Sequence, residues 1–193
     1  MFVFIIAGHD TSASTISFAL YQLATNPDVL KKAQLQVDQV LAGTDPTYSN
    51  FEELSYLQWI VKETLRVNPV VQAIPRITTH QMEWKGFDIP KGTMIFTPFD
   101  SHIDPAYFPD PEQFKPERWE NNELKNRFAY TPFGYGNRAC IGKKFAMIEA
   151  VMALSMIIQR YNISIDKDYG PLDITTVVTS KPKKDLYVTF TKR

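Results

Sequence analysis

The sequence predicts a mainly α-helical fold with small β-sheets, and three observations carry that prediction. Nine of its 13 prolines fall between Pro69 and Pro132. Apolar and small residues recur at helical spacing on either side of that cluster, and strand formers gather within and after it. Each proline removes an amide donor and breaks a helix interior, so long helices belong to the flanks and short strands and loops to the middle. With 193 residues, 44% of them hydrophobic, the chain has enough apolar material for a sizeable core, which argues against collagenous and disordered classes.

From Met1 to about Ala24, Ile5, Gly8, Ser12, Thr15, Ala19 and Tyr21 recur near helical spacing. Asn26-Pro27 ends that helix and opens the next, with Asn26 expected as the cap and Pro27 at the first position. The second helix, Asp28 to Leu41, puts Val29, Ala33, Val37, Val40 and Leu41 on one face and stops at Gly43. A third runs from about Ser55 to Val67 and ends at Asn68-Pro69. Gln81 to Phe99 reads as two short strands around Gly86, Pro90 and Gly92. Asp104 to Pro132, rich in proline, aromatics and charge, reads as a long ordered loop, a type that is usually functional in compact domains. Gly142 to Gln159 returns to helix, with Phe145, Ile148, Val151, Met152, Ser155 and Met156 on its apolar face, and Asn162 to Ile165 and Leu186 to Phe190 look like strands.

The 21 basic and 21 acidic residues cancel, so no whole-protein field draws the chain to nucleic acid or anionic lipid. The apolar opening Met1 to Gly8 has no basic n-region and ends early at His9-Asp10, unlike a secretion signal. No run of about eighteen apolar residues suggests a membrane span. A chain that starts inside an apolar helical pattern is expected to be one part of a larger protein. The single cysteine, Cys140, excludes an intramolecular disulfide framework and leaves three options: inert core, nucleophile or metal ligand.

Cys140 sits in Phe133-Gly134-Tyr135-Gly136-Asn137-Arg138-Ala139-Cys140-Ile141-Gly142, just before a predicted helix whose unpaired amides and positive dipole end favour a thiolate. Two glycines permit a tight loop, and Gly142 lets a flat ligand approach. The segment resembles the haem-binding signature of the cytochrome P450 superfamily, F-x-x-G-x-R-x-C-x-G, with every fixed position filled. Five fixed residues at roughly 1 in 20 each make a chance match improbable. The resemblance implies a haem b cofactor (iron protoporphyrin IX) with Cys140 as its iron ligand. It also implies Arg138 on a propionate, Phe133 beside the thiolate, and Gly134 and Gly142 in the cofactor loop.

Further motifs follow in the family's order. Glu63-Thr64-Leu65-Arg66 is similar to the E-x-x-R pair, and Pro116-Glu117-Arg118-Trp119 to the P-E-R-[FW] element, implying a structural clamp of Glu63, Arg66 and Arg118. Ala7-Gly8-His9-Asp10-Thr11 resembles the [AG]-G-x-[DE]-T groove, where the helix is expected to loosen as Thr11 bonds back to Ala7. Asp10 and Thr11 would then form an acid–alcohol pair relaying protons. Arg76 is expected at the second propionate, and Val70 to Ile74 and Val177 to Thr179 near an apolar substrate. His9, His80 and His102 are read as structural or surface residues.

The resemblance thus implies the carboxy-terminal, haem-binding portion of a cytochrome P450 fold, residues 1–193 forming one incomplete domain. The implied activity is monooxygenation of an apolar small-molecule substrate with dioxygen and electrons from an NADPH-dependent reductase, for which Lys143 and Lys144 would offer a basic docking face. The implied location of the full-length protein is the cytosolic face of the endoplasmic reticulum membrane, through an amino-terminal anchor outside this sequence. Two alternatives are a non-catalytic haem-binding remnant and a cysteine hydrolase built on Cys140 and a histidine.

Overall fold

The computed structural model describes residues 2–121, 124 and 126–193, with side chains from Phe4 onward. The expected helix start at Met1, and positions 122, 123 and 125 of the long loop, lie outside the described residues. Four α-helices are present among the described residues: α1 (Phe2–Thr25), α2 (Pro27–Leu41), α3 (Ser55–Val67) and α4 (Lys143–Arg160). None among the described residues is long and apolar enough to cross a membrane.

The α2 stripe expected from spacing is buried as Val29, Ala33, Val37 and Leu41, joined by Leu30, while Val40 sits at the edge of the core. Pro27 opens α2 as expected and Asn26 stands at the cap position, but its side chain makes no cap hydrogen bond. Its amide instead donates to the Gln22 carbonyl at 2.8 Å, so Asn26 finishes α1. At the far end Ala42 and Gly43 both take positive φ, 47° and 86°, and the Ala42 N–H donates to the Asp38 carbonyl at 3.1 Å. Helix α4 buries Val151, Leu154, Ser155 and Ile158, whereas Phe145 and Met156 of the expected apolar face are exposed. Its core stripe is rotated from the expected one, because Phe145 faces a cavity and not the bundle.

Four two-stranded antiparallel sheets decorate the bundle. Strand β1 (Ala73–Ile77) pairs with β4 (Met94–Pro98), and between them β2 (Met82–Trp84) and β3 (Phe87–Ile89) form a hairpin. The middle third therefore holds four strands where the sequence suggested two. β5 (Tyr161–Ile165) pairs with β8 (Val188–Lys192), enclosing the hairpin β6 (Ile174–Thr176) and β7 (Ser180–Pro182). Between Asp104 and Pro132 the regular structure among the described residues is one 3₁₀ turn, Pro116–Trp119. The main core joins the four helices through Phe18 and Leu23 of α1, Val37 of α2, Leu57 and Ile60 of α3, and Leu154 and Ile158 of α4.

Candidate cofactor site

Buried charge holds the long loop in place. Glu63 and Arg66, one turn apart on α3, are both fully buried and meet in a two-pronged ion pair, Arg66 Nε to Glu63 Oε2 and Nη2 to Oε1, each at 2.9 Å. Arg118 Nε reaches Oε1 at 2.9 Å, Trp119 Nε1 reaches Oε2 at 2.9 Å and the Lys115 N–H reaches Oε1 at 3.0 Å. Arg66 also donates to the carbonyls of His102 (2.9 Å) and Gln113 (3.1 Å), and Arg118 to those of Pro109 (3.0 Å) and Asp110 (3.3 Å). One carboxylate and two guanidiniums thus satisfy loop backbone that no sheet or helix pairs. The structure brings together the three residues of the expected clamp and adds Trp119 and Lys115.

His102 is fully buried beside this cluster, stacked on Phe99 with ring centroids 4.9 Å apart and planes 8° from parallel. Its Nε2 accepts the Thr131 N–H at 3.1 Å, so in the neutral ring the proton sits on Nδ1, which has no hydrogen-bond partner among the described residues. Burial, reinforced by the Arg66 charge, lowers the ring's pKa from 6.5 to about 4. Below pH 6.5 the unfolded chain takes up a proton that the folded ring refuses until about pH 4. Stability present above 6.5 is therefore lost across that window, by about 2–3 kcal/mol at pH 4.5. Urea midpoints at pH 7.5 and 4.5 should differ by this much less in a His102→Gln variant; an equal acid loss in both proteins would contradict the assignment.

The cysteine loop leaves this scaffold at Thr131. The Gly134 N–H donates to the Thr131 carbonyl at 2.8 Å, and the Cys140 N–H closes the loop onto the Phe133 carbonyl at 2.8 Å. Gly134 and Gly136 take φ of 71° and 70°, which side-chain-bearing residues adopt at a cost. A Cβ on Gly134 would also lie 3.0 Å from Ile74 Cδ1. Gly134→Ala should therefore lower stability by about 1–2 kcal/mol, read as a lower urea midpoint at unchanged slope. A midpoint equal to the parent's would show that the loop relaxes freely.

Cys140 ends the loop exposed, two residues before the Gly142 that opens α4. Its side faces a cavity of about 630 Å³, in the range that holds cofactor-sized molecules. α1 contributes Gly8 and Thr11 to its wall, and Val71 and Ile74 line it as well. Phe133, Arg138, Gly142 and Phe145 complete the part of the wall around the cysteine. A Cβ on Gly8 would meet nothing within 4 Å, and one on Gly142 would sit 3.9 Å from the cysteine sulfur. Both glycines thus hold space open inside the cavity. Arg138 makes no ion pair or hydrogen bond among the described residues, leaving a free cation at the rim. A lone thiol, a free guanidinium and a largely apolar space suit a flat apolar group that carries carboxylates and a soft-ligand metal.

Three expected site residues lie elsewhere. Gly134 lines a second cavity of about 610 Å³ behind the loop, with Lys62, Arg127, Lys143 and Lys144. Arg76 is exposed on β1 and donates to the Pro75 carbonyl at 2.8 Å. Asp10 is not on the cavity wall; its carboxylate accepts the Thr179 hydroxyl. Neighbours on a helix diverge by about 100°, and here Thr11 lines the cavity while Asp10 is turned toward Thr179. Thr11 donates to the Ala7 carbonyl at 2.7 Å as expected, yet α1 runs unbroken through the motif, and the groove comes from the missing side chain of Gly8. No histidine hydrogen-bonds Cys140 among the described residues, which leaves the cysteine-hydrolase alternative without a base.

The profile of the family described as cytochrome P450 matches residues 1–190. The chain belongs to the cytochrome P450 family. Among curated relatives it is 37% identical to cytochrome P450 3A31 of Mesocricetus auratus and 39% identical to cytochrome P450 3A13 of Mus musculus. It is 38% identical to cytochrome P450 3A5 of Homo sapiens. Each alignment covers 99% of this chain and 39% of the relative's own length. As a cytochrome P450, the chain is expected to use haem, and the cavity between Cys140 and α1 fits that group in chemistry and size.

Proposed function

We propose that this chain is the haem-binding portion of a haem-thiolate monooxygenase that inserts one atom of dioxygen into an apolar small molecule, with electrons from an NADPH-dependent reductase. The observation that carries the reading is that Cys140, Gly8 and Thr11 line one and the same largely apolar cavity. Haem b bound there would supply dioxygen activation. Cys140 would hold its iron as thiolate, and the free guanidinium of Arg138 would pair with one propionate. Arg76 would take the other on giving up its bond to Pro75. Phe133 and Gly142 would keep water and side chains away from the sulfur, and the clamp of Glu63, Arg66 and Arg118 would fix the loop that carries it.

The Thr11 hydroxyl, whose O–H is engaged with the Ala7 carbonyl, keeps its lone pairs free to accept hydrogen bonds from the cavity side. Val71, Ile74 and Phe145 would exclude water and favour apolar substrates. The basic rim of the second cavity, where Lys143 lies over Phe133 and Lys144 over Tyr48, suits an acidic reductase surface. The proposal extends to a longer protein held at the cytosolic face of the endoplasmic reticulum. It is supported by the 39% share of each relative that this chain spans and by the exposure of Ile5, Trp84, Phe87 and Phe96. The decisive measurement is the absorption of reduced, carbon-monoxide-treated protein in the full-length context. A red-shifted Soret band is expected, and its absence in haem-loaded protein would refute the reading.

A further inference from the structure

His102 joins the buried charge cluster to the cysteine loop. The hydrogen bonds of Glu63, Arg66 and Arg118 end on one another and on residues 102–119, short of the segment that carries Cys140. His102 spans the gap, because its carbonyl accepts from Arg66 Nη1 at 2.9 Å while its ring Nε2 accepts the Thr131 N–H at 3.1 Å. The Thr131 carbonyl takes the Gly134 N–H, and the Phe133 carbonyl takes the Cys140 N–H, both at 2.8 Å. The fully buried ring is itself held, stacked on Phe99 and with its centroid 5.1 Å from that of Tyr130, whose hydroxyl donates to the Lys62 carbonyl at 2.8 Å. A partly buried loop amide needs an acceptor, and the acceptor here is a titratable ring.

We propose that His102 is a positioning residue for Cys140: as neutral imidazole it accepts the Thr131 amide and fixes where the cysteine loop starts, and on protonation it lets the loop go. This rests on the reading of Cys140 as the iron ligand. Imidazolium has no lone pair on Nε2, so an acceptor becomes a donor facing a donor. Arg66 of α3 is the cation that acts on the ring, itself paired with Glu63, and Tyr130 on the loop side stays a neutral phenol because burial holds its pKa well above 10. Burial and Arg66 keep the ring neutral down to about pH 4 while the loop is closed. A ring freed by loop opening moves towards its ordinary 6.5, so acid favours the open form.

Hydrogen exchange at the Thr131 amide of the full-length protein, corrected for the intrinsic effect of pH, tests this with or without haem. His102→Phe keeps a stacking ring but loses the acceptor, and should speed exchange roughly three- to ten-fold at pH 7.5. His102→Gln places a carboxamide oxygen where Nε2 was and should keep the parent rate. Between pH 7.5 and 5.5 the parent should quicken about ten-fold, and the His102→Gln protein should not. A role in packing alone would rank phenylalanine above glutamine. That order, or an equal response to acid in the parent and His102→Gln, would overturn the proposal. In haem-loaded protein, the share of reduced, carbon-monoxide-treated molecules with a red-shifted Soret band should fall over the same pH range in the parent and hold in His102→Gln. No such band in any of the three proteins, with the exchange order kept, would refute the functional reading and leave His102 as the anchor of the loop. A normal band with His102→Phe exchanging at the parent rate would do the reverse.

Discussion

Glu63→Ala is expected to destabilise the chain by about 3–5 kcal/mol, a large share of the total stability of a domain of this size. The carboxylate accepts five hydrogen bonds, from Arg66 twice and from Arg118, Trp119 and the Lys115 backbone once each. Its loss leaves Arg66 fully buried with a charge no group offsets. The loop carbonyls that Arg66 holds would then compete with water for it. Arg160→Ala supplies the contrast, because its pair with Asp45 has side chains 45% and 72% exposed and should contribute at most about 1 kcal/mol. Urea denaturation of both variants checks the ordering. Equal costs would mean that the buried cluster is no more than decoration.

Cys140→Ser separates ligation from folding. The side chain is exposed and makes no disulfide, so the substitution should move stability by no more than about 0.5 kcal/mol. The hydroxyl is a hard, weakly acidic ligand, and the reduced carbon monoxide complex should lose its red-shifted Soret band. Turnover should fall below detection in full-length protein. A variant that kept the band would overturn Cys140 as the iron ligand, whereas one that lost the fold would show that the cysteine is structural.

The helices were legible because their signals are local. Pro27, Gly43 and the apolar stripe of α2 need no distant partner to act. The pairing of Glu63 with Arg66 was legible for the same reason, since three residues apart on a helix is adjacent in space. Its depth was not: Trp119 Nε1, the Lys115 amide and the carbonyls of His102 and Gln113 arrive from 36 to 56 residues away. The strands β1, β6 and β7 were missed because they span only three to five residues, with Pro75 inside β1 and Pro182 ending β7. Phe145 misled because an apolar residue at helical spacing looks the same whether it faces a core or a cavity. Asp10 and Thr11 are adjacent in sequence, yet Thr11 lines the cavity and Asp10 does not, a divergence that only the helix's turn reveals. Cys140 was legible through a motif alone, since nothing about one exposed sulfur marks it by packing.

Pro132, Phe133, Gly134 and Ile141 line the apolar cavity, the basic cavity, or both, with Pro132, Phe133 and Ile141 common to the two. The loop is therefore a partition a single residue thick. Such a wall would insulate and conduct at once: it stands between the lysines and the greasy chamber, and an electron delivered on the lysine side, as proposed, would meet Phe133 and Ile141 as the shared boundary.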